Sequence, residues 1–581
     1  MTVRIDESRR STSFKEARSR VRPLKWAPAA TLAFMVLPVS AGLLGTFAPA
    51  LGWMPALGSG EPGLREFAGL VTWAGFSRAA WLSVTTGLGT TILSLAIVTL
   101  VSAGWQGTRS FRLLERALSP LLSVPHAAAA FGIAFLIAPS GWVSRAFSPW
   151  ATGWSTPPDV LILQDPAALS LILGLVTKEI PFLFLMTLAA LGQTDSSRSH
   201  MTFSALGYGR VSGWLKTVFP RVYAQIRLPV YAVLAYSMSV VDVAIILGPN
   251  TPPTLSVQIV RWFHDPDLDL RFRAAAGAVV QLALVIAVFA VWRALELAVA
   301  RLGRAWIERG GRFRHDGALR VLAILAAAVT SIALVIGIAG LAVWSFAGFW
   351  SFPDLLPEAF TLRSWERHLP SLLSPLRETV VIGFLATAIA LLMTLSSLES
   401  EYRHGVGVAT RNRWILYLPL LVPQVAFLLG LQTWILGSGL TGGRIGVIWM
   451  HSIFVLPYVF LSLAGPFRAW DDRYARVANA LGAGPDRVFW RIRLPMMLRP
   501  IMTAVAVGFA VSVGQYLPTL LTGAGRVQTL TTEAVALASG GDRRIIAIFA
   551  LAQTAAALIP FLIAIRLPRL VWRNRRALDA I

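Results

Sequence analysis

Apolar residues in this chain fall into runs of about twenty, separated by short polar or basic segments. A run of that length crosses a hydrocarbon core of roughly 30 Å at about 1.5 Å per residue. Twelve runs can be marked: near 26–53, 79–104, 119–138, 166–191, 230–249 and 273–299, then near 321–347, 379–397, 414–435, 446–467, 498–522 and 545–567. The pattern predicts an all-α integral membrane protein with about twelve transmembrane helices. Ala48-Pro49-Ala50 imitates a signal-peptide cleavage site, but the first run exceeds the usual apolar core of about 7–15 residues, so an uncleaved first span is expected.

The segments between the runs set the orientation. Basic residues gather in the first 25 positions (Arg9, Arg10, Lys15, Arg18, Arg20, Arg22, Lys25), in the loop with Arg109, Arg112 and Arg116, after the fourth run, in Arg301–Arg320, and in the tail PRLVWRNRRALDAI. Membrane proteins keep Lys and Arg in cytoplasmic loops. Both termini and the central Arg-rich segment are therefore expected inside the cell. The loops of the other side (49–78, 139–165, 250–272, 349–377, 523–544) are richer in Pro, Gly, Trp and acids. Trp53, Trp73, Trp81, Trp344 and Trp350 near span ends fit an interfacial belt.

The order of residues repeats. VPHAAAAFG (Val124–Gly132) lines up with VPQVAFLLG (Val422–Gly430), and Val84, Gly87, Thr91 and Leu95 match Val380, Gly383, Thr387 and Leu391. ALGYG at Ala205 matches ALGAG at Ala480, and from there the copies run on without gaps, pairing Pro220 with Pro495, Ser237 with Ser512, Gly248 with Gly523 and Thr254-Leu255 with Thr529-Leu530. Two parallel six-span halves follow, a duplication that transporters use to build a site at a repeat interface. The expected divisions are a basic tail (1–25), a first half (26–300), an Arg-rich linker (301–320), a second half (321–567) and a basic tail (568–581).

Composition sharpens this picture. Of the 581 residues 55% are hydrophobic and 14% charged, against about 25% charged in soluble domains. The net charge of +23 is explained by the cytoplasmic basic loops, so nucleic acid is not an expected partner. The absence of cysteine excludes disulfides, thiolate metal sites and a cysteine nucleophile. No metal site and no resident cofactor are expected.

One charged stretch stands out, ALGAGPDRVFWRIRLP at Ala480–Pro495. Tyr474–Leu481 reads as a short helix with small residues at Ala475, Ala478 and Ala480. Gly482 suits a left-handed C-terminal cap. Gly484-Pro485 starts a second helix, with Asp486 near its positive end, and Pro495 interrupts it. The expected product is a rigid helix-turn-helix on the cytoplasmic side, rimmed by Arg487, Arg491 and Arg493. An amphipathic helix lying on the membrane is the plainer alternative, but two copies at equivalent places argue against it.

This stretch resembles the cytoplasmic signature of binding-protein-dependent ABC importer permeases: Glu-Ala-Ala, three residues, Gly, nine residues, Ile-x-Leu-Pro. Ala478, Gly482, Ile492, Leu494 and Pro495 stand at matching spacing, as do Gly207 and Pro220 in the first half. Arg476 and Met201 replace the glutamate, Val477 one alanine, and Thr202-Phe203 both. The resemblance covers about residues 65–570 and is similar to the fused permeases of ferric-iron and thiamine importers. It implies two type I importer halves, with Ala205, Leu206, Gly207, Pro220, Ala478, Ala480, Leu481, Gly482, Ile492, Leu494 and Pro495 as ATPase-coupling residues. It also implies an ABC ATPase dimer that uses the ATP, and a soluble substrate-binding protein. The chain has no GxxxxGK[ST] loop, and ASGGD (Ala538–Asp542) reads as a turn.

Polar residues inside spans mark candidate pathways. Asp242, with Gln515 and Tyr516 in the equivalent span, leads; Lys178 and Glu179 follow, as a gate or as partners across the interface between halves. Gln281, Gln553, His126 and Gln424 read as interhelix hydrogen bonds, His451 as structural, and Pro125 and Pro423 as repeat architecture. A major-facilitator transporter is the alternative, but GWQGTRSFRLLERAL between spans 2 and 3 lacks that class's charged motif. A membrane enzyme would need a polar catalytic cluster. The solute is left open among ferric ion, thiamine, oxyanions and polyamines.

Overall fold

The basic loops that sequence gathers on one side converge at one end of a helical bundle. The computed structural model describes residues 22–55, 62–405, 410–437 and 443–571; most of the expected basic tails lies outside them. Its helices, in order, are α1 (Ala27–Ala50), α2 (Phe76–Trp105), α3 (His126–Ile137), α4 (Leu169–Gly192), α5 (Ser196–Ala205), α6 (Arg210–Thr217), α7 (Phe219–Ser239), α8 (Asp242–Leu247) and α9 (Leu270–Glu308). The second half follows with α10 (Gly317–Phe346), α11 (Arg363–His404), α12 (Gln424–Gly437), α13 (Arg444–Arg468), α14 (Arg473–Ala480), α15 (Pro485–Val488), α16 (Leu498–Val513), α17 (Leu517–Gly523) and α18 (Arg543–Val571).

Among the described residues nine helices are long and apolar enough to cross a membrane, eleven if each of two bent pairs is one span. Those pairs are Trp414–Leu421 with Gln424–Ile435, bent by 84°, and Pro485–Met496 with Leu498–Val513, bent by 73°. The sequence pattern predicts twelve. The difference lies in the fifth run, where α7 carries Arg221, Gln225 and Arg227 and the backbone then breaks at Val240–Val241. The third run is also shorter than expected: an amphipathic helix, Arg109–Leu121, ends ahead of it, and Pro125 directly precedes α3.

The repeat is structural as well as sequential. The break between α7 and α8 recurs between α16 and α17. Each break frees carbonyls that must be satisfied inside the bilayer. Gln281 Nε2 donates to the Met238 carbonyl at 2.9 Å. At the equivalent Val513 carbonyl the donor is the Thr531 hydroxyl, which in turn accepts from Gln553 Nε2 at 2.6 Å. The two glutamines are thus interhelix hydrogen bonds, as the sequence suggested.

The halves are locked by exchanged first helices. α1 packs on α12 of the second half, and α10 packs on α3 of the first. Glycines make both crossings: a Cβ on Gly430 would lie 2.1 Å from the Gly42 carbonyl oxygen, and one on Gly132 would lie 2.9 Å from the Gly337 backbone. Small residues let helix backbones meet where lipid provides no hydrophobic drive between helices. At the end of the bundle away from the basic loops, Arg145 donates to the Ser351 and Asp354 carbonyls, and Arg543 to Ser140, tying the halves again. Within the expected 301–320 linker, α9 continues to Glu308 and α10 begins at Gly317, leaving Arg309–Asp316 outside helices.

Candidate coupling segments and pathway

The second charged segment folds as two short helices at the basic end. α14 stops at Ala480 and the chain reverses through Gly482, whose φ is +82°. Gly482 N donates to the Asn479 carbonyl at 3.0 Å and Ala483 N to the Ala478 carbonyl at 2.9 Å. That pair of bonds is the glycine-closed helix end in which the reversal needs a left-handed residue. Gly484 then caps α15, with Pro485 in its first turn. Ala475 and Ala478 pack on Val488, holding the two helices together. Leu481 is 83% exposed, and Tyr474, Val477 and Trp490 are exposed as well, together with Arg473, Arg476, Arg487 and Arg491. Ala480 is exposed; Ile492, Leu494 and Pro495 are half-buried, where the chain passes through a widened turn (Phe489–Arg493) and bends at Met497 toward α16.

Arg493 departs from expectation. It does not rim the segment but is 1% exposed beneath it. Its Nη1 donates to Glu399 Oε2 at 2.7 Å, and its guanidinium lies 3.5 Å from the Tyr402 ring centroid and 4.2 Å from that of Trp470. Glu399 also accepts from Arg403 Nε at 2.5 Å, and Arg403 Nη1 reaches Asp486 Oδ1 at 2.6 Å. The segment is therefore riveted to the end of α11 by an Arg-Glu-Arg-Asp chain. Sequence reasoning missed Glu399, Tyr402 and Arg403; the cluster ESEYRH ending an apolar run was the available signal.

The first copy, α5 and α6, uses the same reversal. Gly207 has φ +75°, its N–H donates to Ser204 and that of Tyr208 to Phe203. Its departures from the signature compensate each other. Phe203 stands where the second copy has Ala478, and Gly213 where it has Val488; a Cβ on Gly213 would sit 2.3 Å from the Phe203 ring. The large partner has changed helix, and the pair packs as closely. Ala205, Leu206 and Pro220 are exposed.

The pathway candidates divide. Lys178 Nζ donates to the Leu121 and Leu122 carbonyls at 3.1 Å each. Glu179 Oε1 lies 3.4 Å from His126 Nε2. Both partners belong to the first half, and not to the interface between halves that the sequence reading favours. His126 also lies against Tyr236, ring centroids 4.9 Å apart. Asp242 is buried at the start of α8. It is within electrostatic reach of His126, Tyr236 and Tyr516, and Glu179 of Tyr236 and Tyr458. Glu179, His126 and Tyr236 lie together, with Asp242 and, from the second half, Tyr458 and Tyr516 within electrostatic reach, while Lys178 turns to its carbonyls and Gln515 lies in the second helix break. Tyr236 and Tyr458 were missed; a hydroxyl-bearing aromatic inside an apolar run was the only local sign. His451 is held on both sides, by Ser512 at 2.7 Å and Thr519 at 2.8 Å.

Two halves with matched helix breaks around a polar centre, and matched helix-turn-helix segments at one end, define a membrane permease. Residues 409–573 match the family model described as the binding-protein-dependent transport system inner membrane component. The inner membrane ABC transporter permease protein YnjC of Escherichia coli is 33% identical over 489 residues, 84% of this chain and 86% of its own. The thiamine transport system permease protein ThiP of Salmonella typhimurium is 24% identical over 72% of this chain and 75% of its own. The molybdenum transport system permease protein ModB of Mycobacterium tuberculosis is 30% identical over 29% of this chain and 69% of its own. The chain belongs to the binding-protein-dependent ABC importer permeases, as a fused, multi-pass inner-membrane member.

Proposed function

We propose that this permease carries a small solute or ion inward along the interface of its two halves, driven by a dimer of ABC ATPases docked on α5–α6 and α14–α15 and supplied by a soluble binding protein outside. The observation that carries this reading is the pair of equivalent glycine-closed segments at one end of the bundle, one exposing the apolar side chains of Leu481, Val477 and Trp490. ATP is used by the partner, and catalytic residues are not assigned to this chain. The solute passes the cluster of His126, Glu179, Tyr236, Asp242, Tyr458 and Tyr516. Alternating access follows if ATPase closure draws the segments together and the helix breaks beside Asp242 and Tyr516 flex.

Two expectations test it. Orientation comes first: the basic end is cytoplasmic. Arg309 is exposed and, unlike Gly310 at φ +67°, needs no unusual backbone. Because native cysteine is absent, an Arg309→Cys variant should stay unlabelled by an impermeant thiol reagent in intact cells and become labelled after permeabilisation. Labelling in intact cells reverses the topology. The second concerns the pathway. An ionisable side chain buried in a span is costly to keep unless it is used. Asp242→Asn should lower uptake at limiting solute by roughly tenfold or more, equivalent to about 1.4 kcal/mol, with ATPase assembly intact. Uptake equal to the parent would remove Asp242 from the pathway.

A further inference from the structure

The two coupling segments are equivalent in sequence position but not in surroundings. The second rests on α11. The first is wrapped by the linker. Gly209 N and the Ser212 hydroxyl both donate to the Arg312 carbonyl, at 2.8 Å each. Lys216 Nζ donates to the Trp306 and Gly311 carbonyls at 3.2 and 2.9 Å. Arg314 Nε donates to the Gly207 carbonyl at 3.1 Å.

The linker also replaces a part that the first copy lacks. In the second copy Asp486 sits in the first turn of α15, where a carboxylate complements the helix N-terminus. The equivalent residue in the first copy is Val211. There the carboxylate comes from Asp316, whose Oδ2 accepts from Val211 N at 2.7 Å. A segment that supplies a missing cap and runs along the whole second helix is part of the built unit.

What the linker then presents outward matters. Phe313, held at φ +38°, is 65% exposed. Arg314 is exposed beside Gly207, at the turn that also leaves Leu206 56% exposed. The second copy exposes Leu481 and the aromatic ring of Trp490. In the first copy the residue equivalent to Trp490 is Leu215, which is half-buried, and an aromatic ring is instead offered by Phe313.

We propose that the linker is half of the first ATPase-docking surface: Phe313 and Arg314 dock with Leu206 into the ATPase, whose groove on this side carries an acidic group that meets Arg314. This rests on the coupling reading above. It makes the fused chain asymmetric toward its motor, with one dock intrinsic to its half and the other completed by the connection between halves. Aromatic and arginine side chains are the residues that most often dominate an interface.

The test uses the whole chain reconstituted with its ATPase and binding protein. Single cysteines at His315→Cys, which keeps Phe313 and Arg314, and at Leu481→Cys each receive a benzophenone maleimide. Both should crosslink to the ATPase, identified by its peptides. In parallel, Arg314→Glu should weaken ATPase retention about tenfold, in the range of interface arginines. Raising salt should weaken retention of the parent more than that of the variant. Crosslinking from Leu481→Cys with none from His315→Cys overturns the inference and leaves the linker as a brace. Crosslinking from neither position overturns the coupling reading itself. Crosslinking from both with undiminished retention by Arg314→Glu removes the acidic contact and defeats the proposal as stated.

Discussion

Gly482→Asp is expected to insert and express as the parent does, yet to lose ATPase binding and stimulated hydrolysis almost entirely. Two costs combine. Gly482 stands at φ +82°, and nothing lies within 4 Å of the place a Cβ would take, so the demand is on backbone conformation and not on space. A non-glycine residue there loses about 1 kcal/mol or more. The new carboxylate also lies beside Leu481, in the face that the partner must desolvate, and an unpaired buried charge costs several kcal/mol. Together they correspond to a loss of roughly two orders of magnitude or more in affinity. Gly482→Ala bears the first cost alone and should retain most of the ATPase. Gly207→Asp bears the same backbone cost at φ +75°, but a Cβ there would lie 2.9 Å from Arg314 Nη2, so the added carboxylate is compensated and the loss should be milder, limited to the backbone cost and to the neutralisation of Arg314. Full copurification and normal hydrolysis by both aspartate variants would remove these segments as coupling sites.

The features legible in the sequence were those fixed by local chemistry or by the repeat. A left-handed glycine and a proline-started helix are decided within four residues, so the reversal at Gly482 could be written from ALGAGPD alone. The helix breaks were half legible: the repeat aligned Asp242 with Leu517, but periodicity cannot show that an apolar run stops being a helix at Val240–Val241. The exchange of α1 and α10 was not legible. Gly132 and Gly430 were visible as a repeated pair, while their contacts, Gly337 and Gly42, sit in other runs and are matched only by packing.

Charges misled in a consistent way. An arginine in a basic loop looks solvated until its partner is known, and the partner of Arg493 is Glu399, 94 positions upstream. The linker shows the same limit. Its arginines suggested a cytoplasmic side, but nothing local indicated that Arg312 and Gly311 offer their carbonyls to α6 and its N-terminal turn. Phe203 looked like a defect in the signature because Gly213, its compensation, lies across the turn on the second helix.

The buried pair gives the second large expectation. Removing one member of a buried ion pair costs about 3–5 kcal/mol, because the other charge is left without compensation. Glu399→Ala strands Arg493, whose side chain is 1% exposed, and leaves Arg403 with Asp486 and the Pro485 carbonyl. The rings of Tyr402 and Trp470 soften this by cation–π attraction, worth about 2 kcal/mol when desolvated, but they do not replace a carboxylate. Glu399→Ala should therefore lower the thermal midpoint of the purified permease and, by loosening α15 from α11, its ATPase retention. Arg493→Met alone should do comparable harm by stranding Glu399 with one arginine. Glu399→Leu alone should be as harmful as Glu399→Ala, and combining it with Arg493→Met exchanges the pair for apolar volume, which is often neutral. The double variant should recover most of the midpoint, a positive coupling in the double-mutant cycle. Its ATPase retention should recover with it if the pair acts only as a rivet. Single variants with parental midpoints, or a double variant whose loss is the sum of the two, would show that the Arg493–Glu399 contact does not hold the coupling segment in place.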